Sequence, residues 1–311
     1  MEPLEFNYLQ RLTIRLTIGA SQLSVELQKR HADYVIARQG ADGGWSGREG
    51  PSDLYYTSFA LRSLAILGLL EGGIASRAAD FLQSRLNAQE GLVDLMSLVY
   101  SAKMLEAACG LDAFAGAQSQ WAERLATLLN GLRRDDGGYS KSFEGNVGST
   151  YQTFLVLLCL ELIDQPVPEP ESIAAFLLRQ RQIDGGFLEV RVGKRSGTNP
   201  TAAGIGALQV LGRLTPDIEQ SAGDFLVERQ TDEGGWQANT HIPLPDLLST
   251  FTACVTLADL DQLSRIDRTA ANDYGLTMQR PSGGFCGFEF DPAEDVEYTF
   301  YGLGLLALLQ T

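Results

Sequence analysis

The sequence predicts an all-α protein, an α/α toroid (barrel) of six helix pairs around a central apolar cavity. Three observations carry that prediction. A Gly-Gly-aromatic triplet recurs at near-constant spacing, each triplet separates an amphipathic helix from an apolar one, and no segment keeps the alternation of a strand. The triplets are Gly43-Gly44-Trp45, Gly137-Gly138-Tyr139, Gly185-Gly186-Phe187, Gly234-Gly235-Trp236 and Gly283-Gly284-Phe285. Their aromatics are spaced by 94, 48, 49 and 49 residues. The first interval is a doubled one, and Gln89-Glu90-Gly91-Leu92 at its middle is a worn copy. The chain therefore holds six units.

Each unit follows one grammar. A lead-in helix such as 222–230 has apolar residues at helical spacing and ends on Gln230. Its polar face places it on the outside. The double glycine that follows supplies torsions that a Cβ disfavours, at the turn leaving the helix. The aromatic packs as a wedge between units. After a loop of turn-forming residues, a second helix opens with a Thr: Thr57, Thr153, Thr201, Thr250 and Thr299. Stretches such as Phe59 to Leu67 and Gly302 to Leu309 are apolar nearly all round, so these second helices are buried on every side. Asp53, Asp246 and Asp295 stand four residues before a Thr, and Asp94 takes that place in the worn unit. Asp is a good N-cap, because its carboxylate accepts orphan helix N–H bonds. Residues 1–24 lie outside the repeat. The segment from Leu9 to Leu23 reads as an amphipathic helix that caps the ring, with Arg11 and Arg15 on one face. Residues 25–311 form one domain.

Composition excludes several function classes. The formal charge is −15, which does not suit a nucleic-acid backbone. No window is long and apolar enough to span a membrane, and the first residues lack a signal-peptide pattern. Cys109, Cys159, Cys254 and Cys286 show no paired spacing, which points to buried thiols in a reducing, cytoplasmic setting.

Helix, Gln and Gly-Gly-aromatic in this order resemble the QW-type repeat of protein prenyltransferase β subunits and triterpene cyclases, over about residues 25–311. Six units in one ring match the prenyltransferase β subunit better than the two-domain cyclases. Lys29-Arg30-His31-Ala32-Asp33-Tyr34, Leu244-Pro245-Asp246 and the segment Asp295 to Leu309 are similar to stretches of Rab geranylgeranyl transferase β subunits. The resemblance implies an isoprenoid-handling enzyme acting in the central cavity on a prenyl or terpenoid substrate, a small molecule or lipid. A helical α-subunit-like partner is left open.

The residues that carry the family's chemistry are mostly replaced. Its zinc site takes an Asp and a Cys at the fifth inner helix and a His at the sixth, and zinc there activates a thiol. Asp246 is kept, but Leu248 and Tyr298 stand at the other two positions. No zinc or other cofactor is expected; magnesium is left open. His241 and Cys286 lie in nearby loops and could complete a metal set with Asp246. The diphosphate contacts are replaced by Gly197, Thr240, Pro243, Ser249 and Tyr151. Arg191, Lys194 and Arg195 beside the fourth inner helix are a substitute anion site or a solvated basic loop.

A second comparison is with class II terpene cyclases, whose Asp-x-Asp-Asp-Thr acid opens an inner helix. Asp295-Val296-Glu297-Tyr298-Thr299 fits that register, with Glu297 at the proton-donor position. An apolar surround holds a carboxyl's proton, which suits a general acid. The matching positions in the other units are Tyr55, Met96, Tyr151, Asn199 and Leu248, so a carboxyl there is particular to the sixth unit. Glu297, Asp295 and Asp246 are the candidate catalytic residues; Tyr55, Tyr151, Tyr298, Arg191, Lys194 and Arg195 are the candidate substrate contacts. Aromatic rings around such a cavity suit an isoprenoid chain. Gly204, Gly206, Gly302 and Gly304 either tighten helix contacts or make room for ligand. The alternative from another class is a lipid-binding or interaction scaffold without chemistry.

Overall fold

The computed structural model describes residues 6–86, 91–115, 117 and 120–311. Gln89 and Glu90 of the worn repeat fall outside these residues, as do the first five. A single helix, α1 (Tyr8–Ala20), precedes the repeats. The outer helices are α2 (Val25–Ile36), α4 (Gly72–Arg85), α6 (Trp121–Asn130), α8 (Pro170–Gln180), α10 (Pro216–Val227) and α12 (Arg268–Thr277). The inner helices are α3 (Leu54–Ile66), α5 (Leu92–Cys109), α7 (Thr150–Leu162), α9 (Thr198–Val210), α11 (Leu247–Asp259) and α13 (Val296–Leu308). Each inner helix packs on the next, and α13 returns to pack on α3. The inner helices are therefore a closed ring, with their N-termini on one face, here called the mouth.

The repeat residues explain how units lock together. The first glycine of every triplet has positive φ, from +85° at Gly185 to +102° at Gly283. A Cβ on it would strike backbone of the next outer helix: Arg77 for Gly43, Ser221 for Gly185, Ala270 for Gly234. The last triplet completes the circle, since Gly283 meets Arg30 of α2. His31 seals that junction by donating from Nδ1 to the Gly283 carbonyl and lying 4.6 Å from the Phe285 ring. Burial lowers the pKa of His31, so it packs as the neutral ring.

The aromatics of the triplets, Trp45, Tyr139, Phe187, Trp236 and Phe285, are fully buried. Each backbone N–H donates to the Thr that opens the same unit's inner helix, at 2.9 Å for Trp45 to Thr57 and 3.2 Å for Phe285 to Thr299. In four units the Thr hydroxyl in turn donates to the cap carbonyl, as Thr250 does to Asp246 at 2.7 Å, while Thr57 donates to the Trp45 carbonyl. The periodic Thr is thus a relay that satisfies two buried backbone groups. Gly204, Gly206, Gly302 and Gly304 tighten packing: the rings of Phe187, Phe154, Phe285 and Phe251 occupy the space their side chains would take.

Two sequence expectations need correction. The loops contain short strands after all: β1 (Trp236–Gln237) pairs with β2 (Pro245–Asp246), and β3 (Phe285–Cys286) with β4 (Glu294–Asp295). Two residues are too few to show a period-2 pattern. In the second unit Asp94 is no cap. Gly91 is the N-cap of α5 and Asp94 lies in its first turn. Helix α5 has 18 residues against 13 in the other inner helices, so it begins about a turn early, and the left-handed Gly110 at its end keeps the register that places Met96, to within a residue, at the Glu297 position. Asp53, Asp246 and Asp295 do cap α3, α11 and α13 through side-chain bonds to Tyr56, Ser249 and Tyr298.

Helix α1 crosses the far end of the ring, packing on α13 and α3. Its Asn7 and Gln10 form a capping box. Tyr8 N–H donates to Glu161 at the end of α7, and Arg15 pairs with Asp259 at the end of α11 at 2.6 Å. Gly19 allows α1 to touch the backbone of Ala307. The part of that end left uncovered is a groove of about 1480 Å³ between α1 and the C-terminal ends of α5, α7 and α9. No described helix is long and apolar enough to cross a membrane. Cys159, Cys254 and Cys286 are buried free thiols, while Cys109 is half-buried and donates to the Leu70 carbonyl.

Candidate functional site

The second residue of each inner helix faces the mouth: Tyr55, Val93, Tyr151, Asn199, Leu248 and Glu297. All six retain solvent exposure in helices that are otherwise mostly buried, so solvent reaches the ring at this end. One turn deeper, Phe154, Ala202 and Thr252 continue the half-exposed lining on α7, α9 and α11. Below them Phe59, Phe251, Phe300 and Tyr301 fill the axis, with ring centroids 5.2 to 5.8 Å apart.

Glu297 is the acid of this opening. Tyr55 Oη donates to its Oε1 at 2.6 Å, and Tyr301 Oη to the same oxygen at 3.2 Å. Oε2 has no hydrogen-bond partner among the described residues and is not among the fully buried unsatisfied atoms, so solvent reaches it. Burial raises the pKa of Glu297, and Asp295 adds to the rise; the tyrosine hydroxyls and Arg62 oppose it. The tyrosines respond in the opposite sense: burial and the Glu297 charge push Tyr55 and Tyr301 upward, so both hydroxyls stay protonated donors.

Asp295 plays another part. Its Oδ1 caps α13, and its Oδ2 receives Arg48 Nε at 3.1 Å. Arg48 also binds Asp291 at 2.6 Å, clamping the first unit's loop to the sixth's. Tyr298 lies beside this clamp, 5.9 Å from the Arg48 guanidinium, with its hydroxyl pushed up to about 12, first by burial and then by Glu297. Asp246 is absorbed by capping: both its oxygens bind Ser249. Burial raises its pKa as well.

The structure gathers Glu297, Tyr55, Asp295 and Tyr298 at one side of the mouth, with Tyr151 exposed on its rim. It does not bring Arg191, Lys194 and Arg195 to them. Those three are exposed on the fourth loop, and Arg191 donates to the Arg179 carbonyl at the end of outer helix α8. A zinc set does not assemble either. His241 is exposed, and the buried Cys286 donates to the Phe288 carbonyl. Among the described residues no three His, Cys, Asp or Glu side chains converge.

Two cations escaped the sequence reading. Arg48 sits in a loop that offers no periodic signal. Arg62 was visible as the lone charge in the apolar stretch Leu54–Ile66, spaced 55, 59, 62 along one helix face.

Comparison with known proteins supports the architecture. Residues 204–311 match the family model described as the prenyltransferase alpha-alpha toroid domain. The chain carries the prenyltransferase α-α toroid fold. A protein geranylgeranyltransferase-I from Candida albicans, complexed with GGPP, superposes with a TM-score of 0.73 at 16% identity, over 90% of each chain. The type II terpene cyclase MstE from Scytonema, with geranylgeranyl dihydroxybenzoate as its substrate, gives 0.61 at 14% identity, over 97% of this chain and 98% of that one. A wild-type glycosidase gives 0.57 at 11% identity, over 98% of both chains. No curated protein matches the sequence. At these identities the likeness is one of fold, and the toroid hosts more than one chemistry.

Proposed function

We propose that this toroid binds a prenyl or terpenoid chain in the mouth of the ring and that Glu297 protonates it to start a cyclisation. The observation that carries the reading is the arrangement of the Glu297 carboxyl. One oxygen is held by two tyrosine hydroxyls, the other has no partner among the described residues and is reached by solvent, and burial keeps the proton bound to higher pH. Hydroxyls donating to Oε1 also favour the carboxylate left behind after proton transfer, so they lower the cost of the step. The aromatic faces of Phe59, Phe251, Phe300 and Tyr301 stand next to it, a surface suited to positive charge on carbon. The similar toroids solved with GGPP and with geranylgeranyl dihydroxybenzoate lend support.

The step balances without an oxidant or a metal. The Glu297 Oε2 proton adds to one alkene carbon, whose π pair forms the new C–H bond and leaves its neighbour cationic. A second alkene of the same chain gives its π pair to close a C–C bond. The final cation loses a proton, which returns to the Glu297 carboxylate directly or through water. Asp295 positions the acid by capping α13, and Arg48 fixes Asp295. Zinc-dependent thiol prenylation does not fit the donor set, because Leu248 and Tyr298 replace two ligands and Asp246 is committed to Ser249.

The test is incubation with farnesol and geranylgeraniol, followed by mass spectrometry for products of unchanged mass with fewer alkenes. Glu297→Gln should abolish them while prenyl binding persists. Binding without turnover in the wild type would overturn the acid role and leave a lipid-binding protein. No binding of either alcohol would overturn the isoprenoid reading altogether.

A further inference from the structure

Arg62 is a cation inside the ring that forms no ion pair among the described residues; the acid whose charge it feels is Glu297, which is bonded to Tyr55 and Tyr301 instead. The other inward cations have acidic partners: Arg15 has Asp259, and Arg48 has Asp291 and Asp295. The Arg62 guanidinium instead lies 4.5 Å from the Phe59 ring centroid, 4.8 Å from Tyr100 and 5.5 Å from Phe300. Its only described hydrogen bond runs from Nη2 to Ser58 Oγ at 3.0 Å. Its Nε–H is fully buried without an acceptor.

Rings shield the faces of a guanidinium but leave its in-plane N–H groups unsatisfied. Those groups match a planar or tetrahedral oxyanion. A void of about 10 Å³ adjoins Arg62, bounded by Thr13, Tyr100, Met104 and Phe300. Thr13, Tyr100 and Met104 also line the large groove beside α1, so little more than this layer separates the two. The hydroxyls of Thr13 and Tyr100 are hydrogen-bonded at 2.9 Å across that layer. On the opposite side Phe59 and Phe300 lead to Tyr301 and so to Glu297.

We propose that Arg62 receives the acidic head group, a carboxylate or a phosphate, of the ligand that occupies the ring. The head takes the place of the void when Tyr100 releases Thr13 and turns toward the groove. The hydrocarbon part then lies against Phe59 and Phe300, whose rings must part to admit it, on the side of Arg62 that leads to Glu297; this second half rests on the isoprenoid reading above.

Calorimetric titration of the full chain with farnesoic acid, farnesyl phosphate, farnesol and inorganic phosphate tests the assignment, alongside Arg62→Met and Arg62→Lys. Wild type should bind one of the two acids about tenfold or more tighter than farnesol, the scale of one charge-assisted contact. The tighter acid identifies the head group. Arg62→Met should erase the preference, while its ligand-free Tm stays level or rises, because an apolar chain replaces an unpaired charge. Arg62→Lys keeps the charge without the planar fork and should retain part of the preference; it also serves if the Met variant fails to fold. A preference undiminished in both variants overturns the proposal, as does a wild type that treats acid and alcohol alike and ignores phosphate. If no prenyl ligand binds but phosphate stabilises only wild type, the anion site stands and the isoprenoid reading fails.

Discussion

Removing the Tyr55 hydroxyl probes the acid without touching it. In Tyr55→Phe, Glu297 Oε1 loses its shorter partner, at 2.6 Å, and keeps Tyr301 at 3.2 Å. A hydrogen bond to an ionised group contributes about 1.5–3 kcal/mol, and one between neutral groups about 0.5–1.5 kcal/mol. The variant should therefore lose more stability when Glu297 is charged than when it is protonated. The sign follows from linkage. Burial raises the folded pKa of Glu297 above its unfolded value, so its contribution is present at acid pH and fades as pH rises through the folded pKa. Removing a donor that favours the charged form raises the folded pKa further. The gap between wild type and Tyr55→Phe should then widen with pH. At an unfolding entropy of about 2.1 cal/mol/K per residue, 1 kcal/mol is roughly 1.5 °C in Tm for a chain of this length. The expected loss is roughly 2–5 °C above that titration and about half as much below it. Calorimetric scans from pH 4 to 8 measure it. A Tm difference that stays constant across the range would refute the coupling between Tyr55 and Glu297.

Other perturbations test the frame that holds the acid. Phe285→Ala empties a fully buried site at the ring's closing junction and should cost about 3–5 kcal/mol by urea unfolding. Gly302→Ala places a methyl group against the Phe285 ring and should cost about 1–3 kcal/mol, whereas Gly50→Ser, with open space around it, tests only the backbone at its positive φ. Arg48→Ala strips the buried Asp295 of its cation and should cost about 1–2 kcal/mol, discounted for the partial exposure of Arg48. Adding Asp295→Asn should recover part of that loss, as a double-mutant cycle will show. Dialysis against a chelator should leave Tm unchanged; a drop would reveal a metal that the donor set does not suggest.

The ring was legible because its determinants are local and repeated. A glycine at positive φ, a buried aromatic and a Thr twelve to fourteen residues later recur with each unit, and every one answers a backbone requirement. Glu297 stood out because the other units carry uncharged residues at its position. What stayed hidden depends on contacts between distant segments. Arg48 finds Asp295 across 247 positions, and no local pattern announces such a pair. The second unit misled because its triplet is worn: Gly91 caps α5 about a turn early, and Asp94 lies inside the helix instead of at its start. The basic loop at 191–195 suggested an anion site by composition, while the cation inside the ring is a single Arg in an apolar helix.

The seating of Gly283 on Arg30 gives this repeat protein a property that open arrays lack. A linear solenoid can grow from any point and lose a terminal unit, because each unit answers only to its neighbours. Here the first outer helix and the last triplet complete one another, so neither end is a terminus in the energetic sense. Deleting one unit would leave two unmatched faces and a circle of the wrong circumference. Assembly must also wait for contacts some 250 residues apart in sequence, which places closure of the ring among the slow, non-local events of folding. New variants of this architecture are therefore to be sought by changing loops and mouth residues at constant unit number, or by cutting the circle elsewhere and joining the native ends.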